Sequence, residues 1–133
     1  MKILSLFALT LIFLLNEQPT QEQLDQGKEI YLSECAECHN LNGEGVPGTY
    51  PPLSDKNDFV GDNGKVIFGS IYFGNEGEMT VNGELYNGIM DPVEMSAEDA
   101  ALVVTYIMNS WGNAGGVYTA EDAASVRETE ETR

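Results

Sequence analysis

The first apolar segment of the chain, residues 3–15, is nearly continuous, and polar residues from Asn16 onward end it abruptly. Lys2 supplies a positive charge directly before the run. A membrane-spanning helix needs about 20 apolar residues, whereas a run of this length fits the core of a signal peptide. We therefore expect residues 1–15 to be a signal peptide that is cut between positions 15 and 20. An uncleaved anchor is the alternative.

Apolar residues then recur at helical spacing in four stretches. Thr20 with Gln23 forms a capping-box pattern at the start of the first stretch, and Ser96 with Asp99 opens the clearest one. Gly112 is a natural stop for that helix. The predicted helices cover, in chain order, residues 21–34, 65–73 and 97–111, and a short last helix, capped by Thr119 and Asp122, runs through about Val126.

One short segment has the pattern of a β-hairpin. Residues 79–81 and 84–86 flank Asn82 and Gly83, a pair that favours a two-residue turn. Residues 40–62 are rich in Gly, Pro, Asn and Asp, and we expect them to form an ordered loop. The pattern as a whole predicts a mainly α fold of short helices with a small β-hairpin.

Composition and charge narrow the function classes. The 133 residues include 22 acidic and 6 basic side chains, for a net charge of −16. This charge argues against nucleic acid or an anionic membrane surface as a partner, so membrane contact is expected only if the N-terminal segment stays uncleaved. The length fits one domain, predicted over 20–127, with a charged tail over 128–133. Without the N-terminal run this domain is poor in apolar residues, so it is either partly disordered or filled by something besides its own side chains.

Cys35, Cys38 and His39 form a C-x-x-C-H motif with specific chemistry. Two thiols at this spacing can form thioethers with the two vinyl groups of a haem, and the histidine that follows can ligate the iron. A thioredoxin-like dithiol needs a βαβ setting, a structural zinc site needs about four ligands, and a plain disulfide leaves the histidine unexplained. The motif therefore predicts one covalently attached haem c per chain.

The second axial ligand of such an iron must be another residue type, because His39 is the one histidine of the chain. Methionine is the natural alternative. Met79 lies in the predicted hairpin, Met95 precedes the cap of the strongest helix, and Met108 lies inside that helix. Met90 lies in a predicted loop, where ligands are placed more freely, and we expect it to bind the iron. The alternative is an iron with an open or water-bound position.

With these features, the chain resembles a class I mono-haem cytochrome c over about residues 20–112. The motifs that carry the resemblance are Cys35-Ala36-Glu37-Cys38-His39, Tyr50-Pro51-Pro52-Leu53 and Asn87-Gly88-Ile89-Met90, with Gly27, Tyr31 and Tyr106 in the helices. It implies short helices around one covalent haem, close helix packing at Gly27, and Met90 as the distal ligand. It also implies that the carbonyl of Pro52 accepts a hydrogen bond from the His39 ring. The hairpin and residues 109–113 are more similar to cytochrome c domains found with copper nitrite reductases and terminal oxidases.

The resemblance implies an electron carrier, not an enzyme, in which the iron cycles between Fe(II) and Fe(III). With the export signal, it predicts a periplasmic or otherwise exported carrier in a respiratory chain. Few lysines are present for a docking ring, and the acidic surface favours redox protein partners with a basic docking surface. An acidic surface adapted to saline surroundings is the alternative explanation of the charge. The alternatives are a haem-based ligand sensor or peroxidase with an open iron site, and an electron-transfer subunit of an oxidase or nitrite reductase complex.

Overall fold

The structure is a computed structural model that describes residues 17–55, 62–113 and 115–131. The predicted signal peptide lies outside the described residues. The elements are α1 (Gln21–Glu34), α2 (Ala36–His39), α3 (Lys65–Phe73), β1 (Asn75–Val81), β2 (Glu84–Met90), α4 (Ala97–Met108) and α5 (Ala120–Glu131). The mainly helical fold with one small hairpin is confirmed. Among the described helices, none has the length and apolar character needed to cross a membrane.

Helices α1 and α4 pack directly on each other, and Gly27 permits their close approach. A Cβ atom at position 27 would collide with the backbone oxygen of Leu102 and would lie 2.7 Å from the Cβ of Tyr106. The ring of Tyr31, one turn further along α1, lies against the rings of Tyr106 and Trp111, with centroids 5.7 Å and 4.9 Å away. The close contact at Gly27 that the resemblance implies is therefore present.

Helices α3 and α5 complete the core on the other side of α4. The rings of Phe68 and Tyr118 stack at 5.5 Å, and Ala123 of α5 is fully buried. The guanidinium of Arg127 lies over the ring of Tyr72, 4.3 Å from its centroid. This contact lies beyond the predicted end of the helix at residue 126, and α5 continues to Glu131. The segment predicted to be a charged tail is therefore helical as far as residue 131.

Helix α4 ends three residues earlier than the sequence predicts. The side-chain nitrogen of Asn109 donates to the carbonyls of Thr105 and Gly116, both at 2.7 Å. The backbone N–H of Gly115 donates to the carbonyl of Met108 at 2.6 Å. These bonds cap the free carbonyls at the end of the helix and turn the chain back, so the helical pattern up to Trp111 does not continue as helix.

The hairpin has the predicted turn and register but is longer than predicted. Asn82 and Gly83 have φ angles of 49° and 81°, as a two-residue turn of type I′ requires. Met79 pairs with Tyr86, and the ladder extends to the pair of Asn75 with Met90. Met90 is thus the last residue of β2, and the expectation that it lies in a loop is wrong.

Candidate cofactor site

Cys35, Cys38 and His39 lie where α1 gives way to the single turn of α2. Cys35 caps the end of α1, since its N–H donates to the carbonyl of Tyr31. Its own carbonyl accepts from the N–H groups of Cys38 at 3.3 Å and His39 at 3.0 Å. This helical turn holds the motif in one fixed conformation. Both thiols are free and half-buried, and burial beside Glu34 raises the pKa of Cys35 to about 12.

The imidazole of His39 is almost completely buried, with 9% of its surface exposed. Its Nδ1 lies 2.8 Å from the carbonyl oxygen of Pro51. Because a carbonyl can only accept, Nδ1 carries the proton and Nε2 keeps its lone pair for a metal. Burial lowers the pKa of His39, and the hydrogen bond with Pro51 opposes that effect. The neutral, metal-binding form of the ring is therefore favoured.

The acceptor for the His39 ring is Pro51, and the expectation that Pro52 plays this part is wrong by one residue. Two adjacent prolines look alike in sequence, and the path of the loop decides which carbonyl meets the ring. A Cβ atom at Gly45 would collide with the carbonyl of Tyr50 and lie 2.8 Å from the carbonyl oxygen of Pro51. The glycine thus lets the prolines and the turn at 46–50, which a bridge between Val46 and Tyr50 closes, pack against the loop before them.

Asn113 fixes the same loop from the other side, a role that sequence reasoning missed. Its side-chain nitrogen donates to the carbonyls of Leu53 and Ile107, both at 2.7 Å. Leu53 also donates its N–H to the carbonyl of Gly43 at 2.7 Å. An asparagine after a helix end carries no distinctive signal in one sequence, because its partners are 60 and 6 residues away.

A cavity of about 400 Å³ opens in front of the motif. Cys35, Cys38 and His39 line one part of it. Three methionines line it as well, namely Met79, Met90 and Met95, and each is half-buried. Met108 is 2% exposed and belongs to the core cluster, in agreement with its predicted packing role.

The donor set in this cavity suits a haem c. Two thiols at C-x-x-C spacing supply the covalent attachment, and the oriented imidazole supplies a nitrogen ligand. Thioether side chains are the remaining soft ligands in the lining, and much of the other surface is apolar, including Leu53, Ile67, Ile71 and Val93. A volume of this size is typical of a site that encloses a small cofactor. The residues present therefore fit the predicted group.

Comparison with known proteins identifies the same class of cofactor protein. A sequence model of the family described as "Cytochrome c" matches residues 24–111. Cytochrome c-552 of Thermus thermophilus is 33% identical over 110 residues, which cover 76% of this chain and 83% of that protein.

Larger proteins contain a similar segment. The cytochrome c subunit of the quinone alcohol dehydrogenase of Gluconacetobacter polyoxogenes is 34% identical over 107 residues, 77% of this chain but 22% of that subunit. The corresponding subunit of Gluconobacter oxydans is 30% identical over 111 residues, 80% of this chain and 23% of the subunit. The matched segment of this chain includes the buried histidine, both cysteines and most of the cavity wall. The family model spans more than half of the chain, and the Thermus protein is 33% identical over most of both chains. The chain therefore belongs to the cytochrome c family, whose members transfer electrons through haem.

Proposed function

We propose that this protein carries one haem c on Cys35 and Cys38 and works as an exported, periplasmic electron carrier of a respiratory chain. The observation that carries the proposal is the shared cavity of Cys35, Cys38 and His39, with the imidazole held by the carbonyl of Pro51 at 2.8 Å. When bound, haem supplies a one-electron Fe(II)/Fe(III) couple. The protein then has to bind it, orient its ligands and exclude water.

The residues around the cavity are suited to that task because hydrogen bonds to the backbone hold them in place. The His39 ring is fixed by Pro51, and the turn of α2 is fixed by the carbonyl of Cys35. A site whose ligands do not move on oxidation has a small reorganisation cost. No described side chain in the cavity needs to donate or accept a proton for this function.

Met90 is our candidate for the distal iron ligand. It is one of the three cavity methionines, and its backbone is braced on both sides. A Cβ atom at Gly74 would collide with the carbonyl of Met90, and the N–H of Val93 donates to the carbonyl of Ile71 at 2.8 Å. Met95 directly precedes the N-cap Ser96, and Met79 lies in the interior of β1. Met90 is in the last pair of the ladder, opposite Asn75, and is followed directly by the loop that leads to α4.

Spectroscopy of the three methionine variants tests this assignment. The oxidised holoprotein is expected to show the weak charge-transfer band at the red end of the spectrum that marks methionine–iron ligation. Met90→Leu is expected to abolish the band, whereas Met79→Leu and Met95→Leu keep it. If Met79→Leu or Met95→Leu abolishes the band instead, the ligand is misassigned. If the wild-type protein lacks the band and binds carbon monoxide readily, it is a ligand sensor or peroxidase and not a carrier.

Covalent attachment has its own test. The pair Cys35→Ser and Cys38→Ser, combined in one chain, is expected to yield protein from which haem extracts into acidified organic solvent. Haem that stays with this double variant would contradict attachment through the two thiols.

A second candidate is that the protein works as the electron-transfer subunit of a larger oxidoreductase. Two of the relatives above are cytochrome c subunits of quinone alcohol dehydrogenases. The similarity to domains of copper nitrite reductases and terminal oxidases remains a prediction. Affinity capture of the tagged protein from periplasmic and membrane fractions separates the candidates, because a stable subunit retains its enzyme through washing and a freely diffusing carrier does not.

In either case we propose that the redox partner presents a basic surface. The chain has a net charge of −16, and opposite charges on two proteins accelerate their encounter.

A further inference from the structure

One face of the β1–β2 hairpin is uncovered, and it carries large apolar side chains. Strand residues alternate between two faces. Val81 and Tyr86 are buried, at 0% and 4% exposure, on the face that also carries the cavity residues Met79 and Met90. The opposite face, here called the hairpin face, consists of Glu76, Glu78, Thr80, Leu85, Asn87 and Ile89, all exposed. Leu85 is 56% exposed and Ile89 is 73% exposed.

The hairpin face pairs these apolar residues with acidic ones. In the antiparallel register Glu76 lies opposite Ile89, and Glu78 lies opposite Asn87, between the two apolar side chains. The face therefore has an exposed apolar side chain toward each end, Leu85 and Ile89, with acidic side chains beside and between them.

The hairpin face also adjoins the cofactor cavity. Glu76, Glu78 and Ile89 belong to the lining of the cavity as well as to the face. Glu34 and Asp91 are further acidic members of the described lining, which includes no lysine or arginine. A protein docked on the hairpin face therefore lies on the outer side of a cavity wall that is one layer of strands thick, and it meets negative charge along the contact.

We propose that the hairpin face is the docking surface for a redox protein whose own contact patch combines apolar side chains with lysine or arginine. The proposal rests on the electron-transfer function above and names the surface that serves it. Charge decides between this partner and a second copy of the chain. A symmetric contact places the same patch of both copies together, so it would bring Glu76 and Glu78 of one copy near the acidic face of the other, which carries no lysine or arginine. A basic partner neutralises them instead.

The test uses the holoprotein and, as probe, a reduced mono-haem cytochrome c with a ring of lysines around its haem edge. A reversible one-electron titration of the holoprotein is recorded first. In amide NMR spectra of the reduced, ¹⁵N-labelled protein at low salt, the probe is expected to shift the signals of residues 76–78 and 85–89 most strongly. Glu76→Gln with Glu78→Gln is expected to weaken binding of the probe by about 2- to 10-fold, and the loss should shrink as salt is added.

A separate variant tests the contribution of the apolar side chains of the hairpin face. Ile89→Thr keeps a β-branched side chain suited to a strand and is expected to weaken binding by about fourfold, the worth of roughly one buried methylene group. The matched controls lie on α1 and α4. Glu29→Gln with Glu98→Gln removes the same charge from exposed helix positions, and Leu32→Gln removes an exposed apolar side chain from α1. These controls are expected to change binding less than twofold.

Several results would overturn the proposal. Probe-induced shifts spread evenly over the acidic surface, or equal effects of the control and hairpin variants, would show that net charge alone attracts the probe. Shifts at 76–89 that grow with protein concentration in the absence of probe would show a second copy on the face. A normal redox titration with no response of the hairpin face would leave the carrier function standing and reject the docking site. Failure of the redox titration itself would reject both.

Discussion

At the scale of single residues, the clearest constraint is the missing side chain at Gly27. An exposed helix position would normally gain from alanine, because glycine costs about 0.5–1 kcal/mol there. At Gly27 the added methyl group would meet the Leu102 carbonyl and the Tyr106 Cβ, neither of which is the flexible end of a side chain. Helices α1 and α4 would have to move apart, at a cost of about 1–3 kcal/mol.

A matched pair of glycine variants checks this argument. Gly27→Ala is expected to lower the free energy of unfolding of the holoprotein. Gly69→Ala in α3 is expected to raise it by about 0.5–1 kcal/mol, because no heavy atom lies within 4 Å of a Cβ built there. Urea unfolding followed by circular dichroism measures both. Equal signs for the two substitutions would contradict the close contact.

The buried hydroxyl group of Tyr118 is a second constraint at the scale of single residues. The hydroxyl has no hydrogen-bond partner, while the ring of Tyr118 stacks on Phe68. Removing an unsatisfied buried polar group is favourable, so Tyr118→Phe is expected to stabilise the protein by about 1 kcal/mol. Tyr72→Phe, at an exposed position, is the control and is expected to have little effect.

Tyr118→Phe is also expected to change how the stability of the protein depends on pH in the alkaline range. Burial raises the pKa of Tyr118 above its ordinary value near 10, so above that pH the unfolded chain releases a proton that the folded chain keeps. Stability is therefore full below pH 10 and falls as the pH rises further. Tyr118→Phe is expected to reduce this fall without abolishing it, because burial also raises the pKa of Tyr31. An unchanged difference between unfolding at pH 9 and pH 11 would contradict the assignment.

At the scale of elements, local signals in the sequence predict most boundaries. The capping box of Thr20 and Gln23 is present with both of its hydrogen bonds, and α1 runs over the predicted residues. The turn at Asn82 and Gly83 sets the hairpin register as predicted. Such signals work because each depends on residues no more than four positions apart.

The errors fall where tertiary contacts decide. Residues 75–78 have weak strand propensity, yet they pair with β2, and this part of the hairpin forms a wall of the cavity. The end of α4 depends on Asn109 and Gly116, and the length of α5 depends on Arg127 over Tyr72. In the site, the C-x-x-C-H motif singles out three residues that line the cavity, while the choice of Pro51 over Pro52 depends on the path of a loop.

Helix α5 offers a test of whether a C-terminal element takes part in the cooperative fold. Thr119 and Asp122 form a reciprocal cap. The N–H of Asp122 donates to the hydroxyl of Thr119 at 3.1 Å, and the N–H of Thr119 donates to the carboxylate of Asp122 at 2.8 Å. Because Ala123 is fully buried, Thr119→Ala is expected to lower global stability by about 1 kcal/mol. Ser125→Ala, at an exposed position in the same helix, is expected to be neutral or slightly stabilising. Fraying confined to the amides of α5 in hydrogen exchange would contradict its cooperative role.

At the scale of the whole molecule, the net charge of −16 has two consequences with opposite responses to salt. Repulsion among like charges destabilises the compact state, and added salt screens it, so the unfolding temperature of the holoprotein is expected to rise as NaCl increases from 0.01 to 0.5 M. Attraction of a basic redox partner is screened by the same ions, so the association rate is expected to fall over this range.

Measuring both responses on one preparation separates the contribution of the overall charge from that of the hairpin face. The unfolding temperature reports the sum of charge repulsions over the whole surface. The hairpin variant carries Glu76→Gln and Glu78→Gln, and the control variant carries Glu29→Gln and Glu98→Gln. Each variant removes two negative charges from the surface. Both are therefore expected to reduce the salt dependence of the unfolding temperature by similar amounts. Only the hairpin variant is expected to reduce the salt dependence of the association rate with the lysine-ring cytochrome, because only its charges lie where the partner docks. If the control variant lowers that dependence as much, the acidic surface attracts the partner without directing it, and the charge of the chain acts on the encounter as a whole.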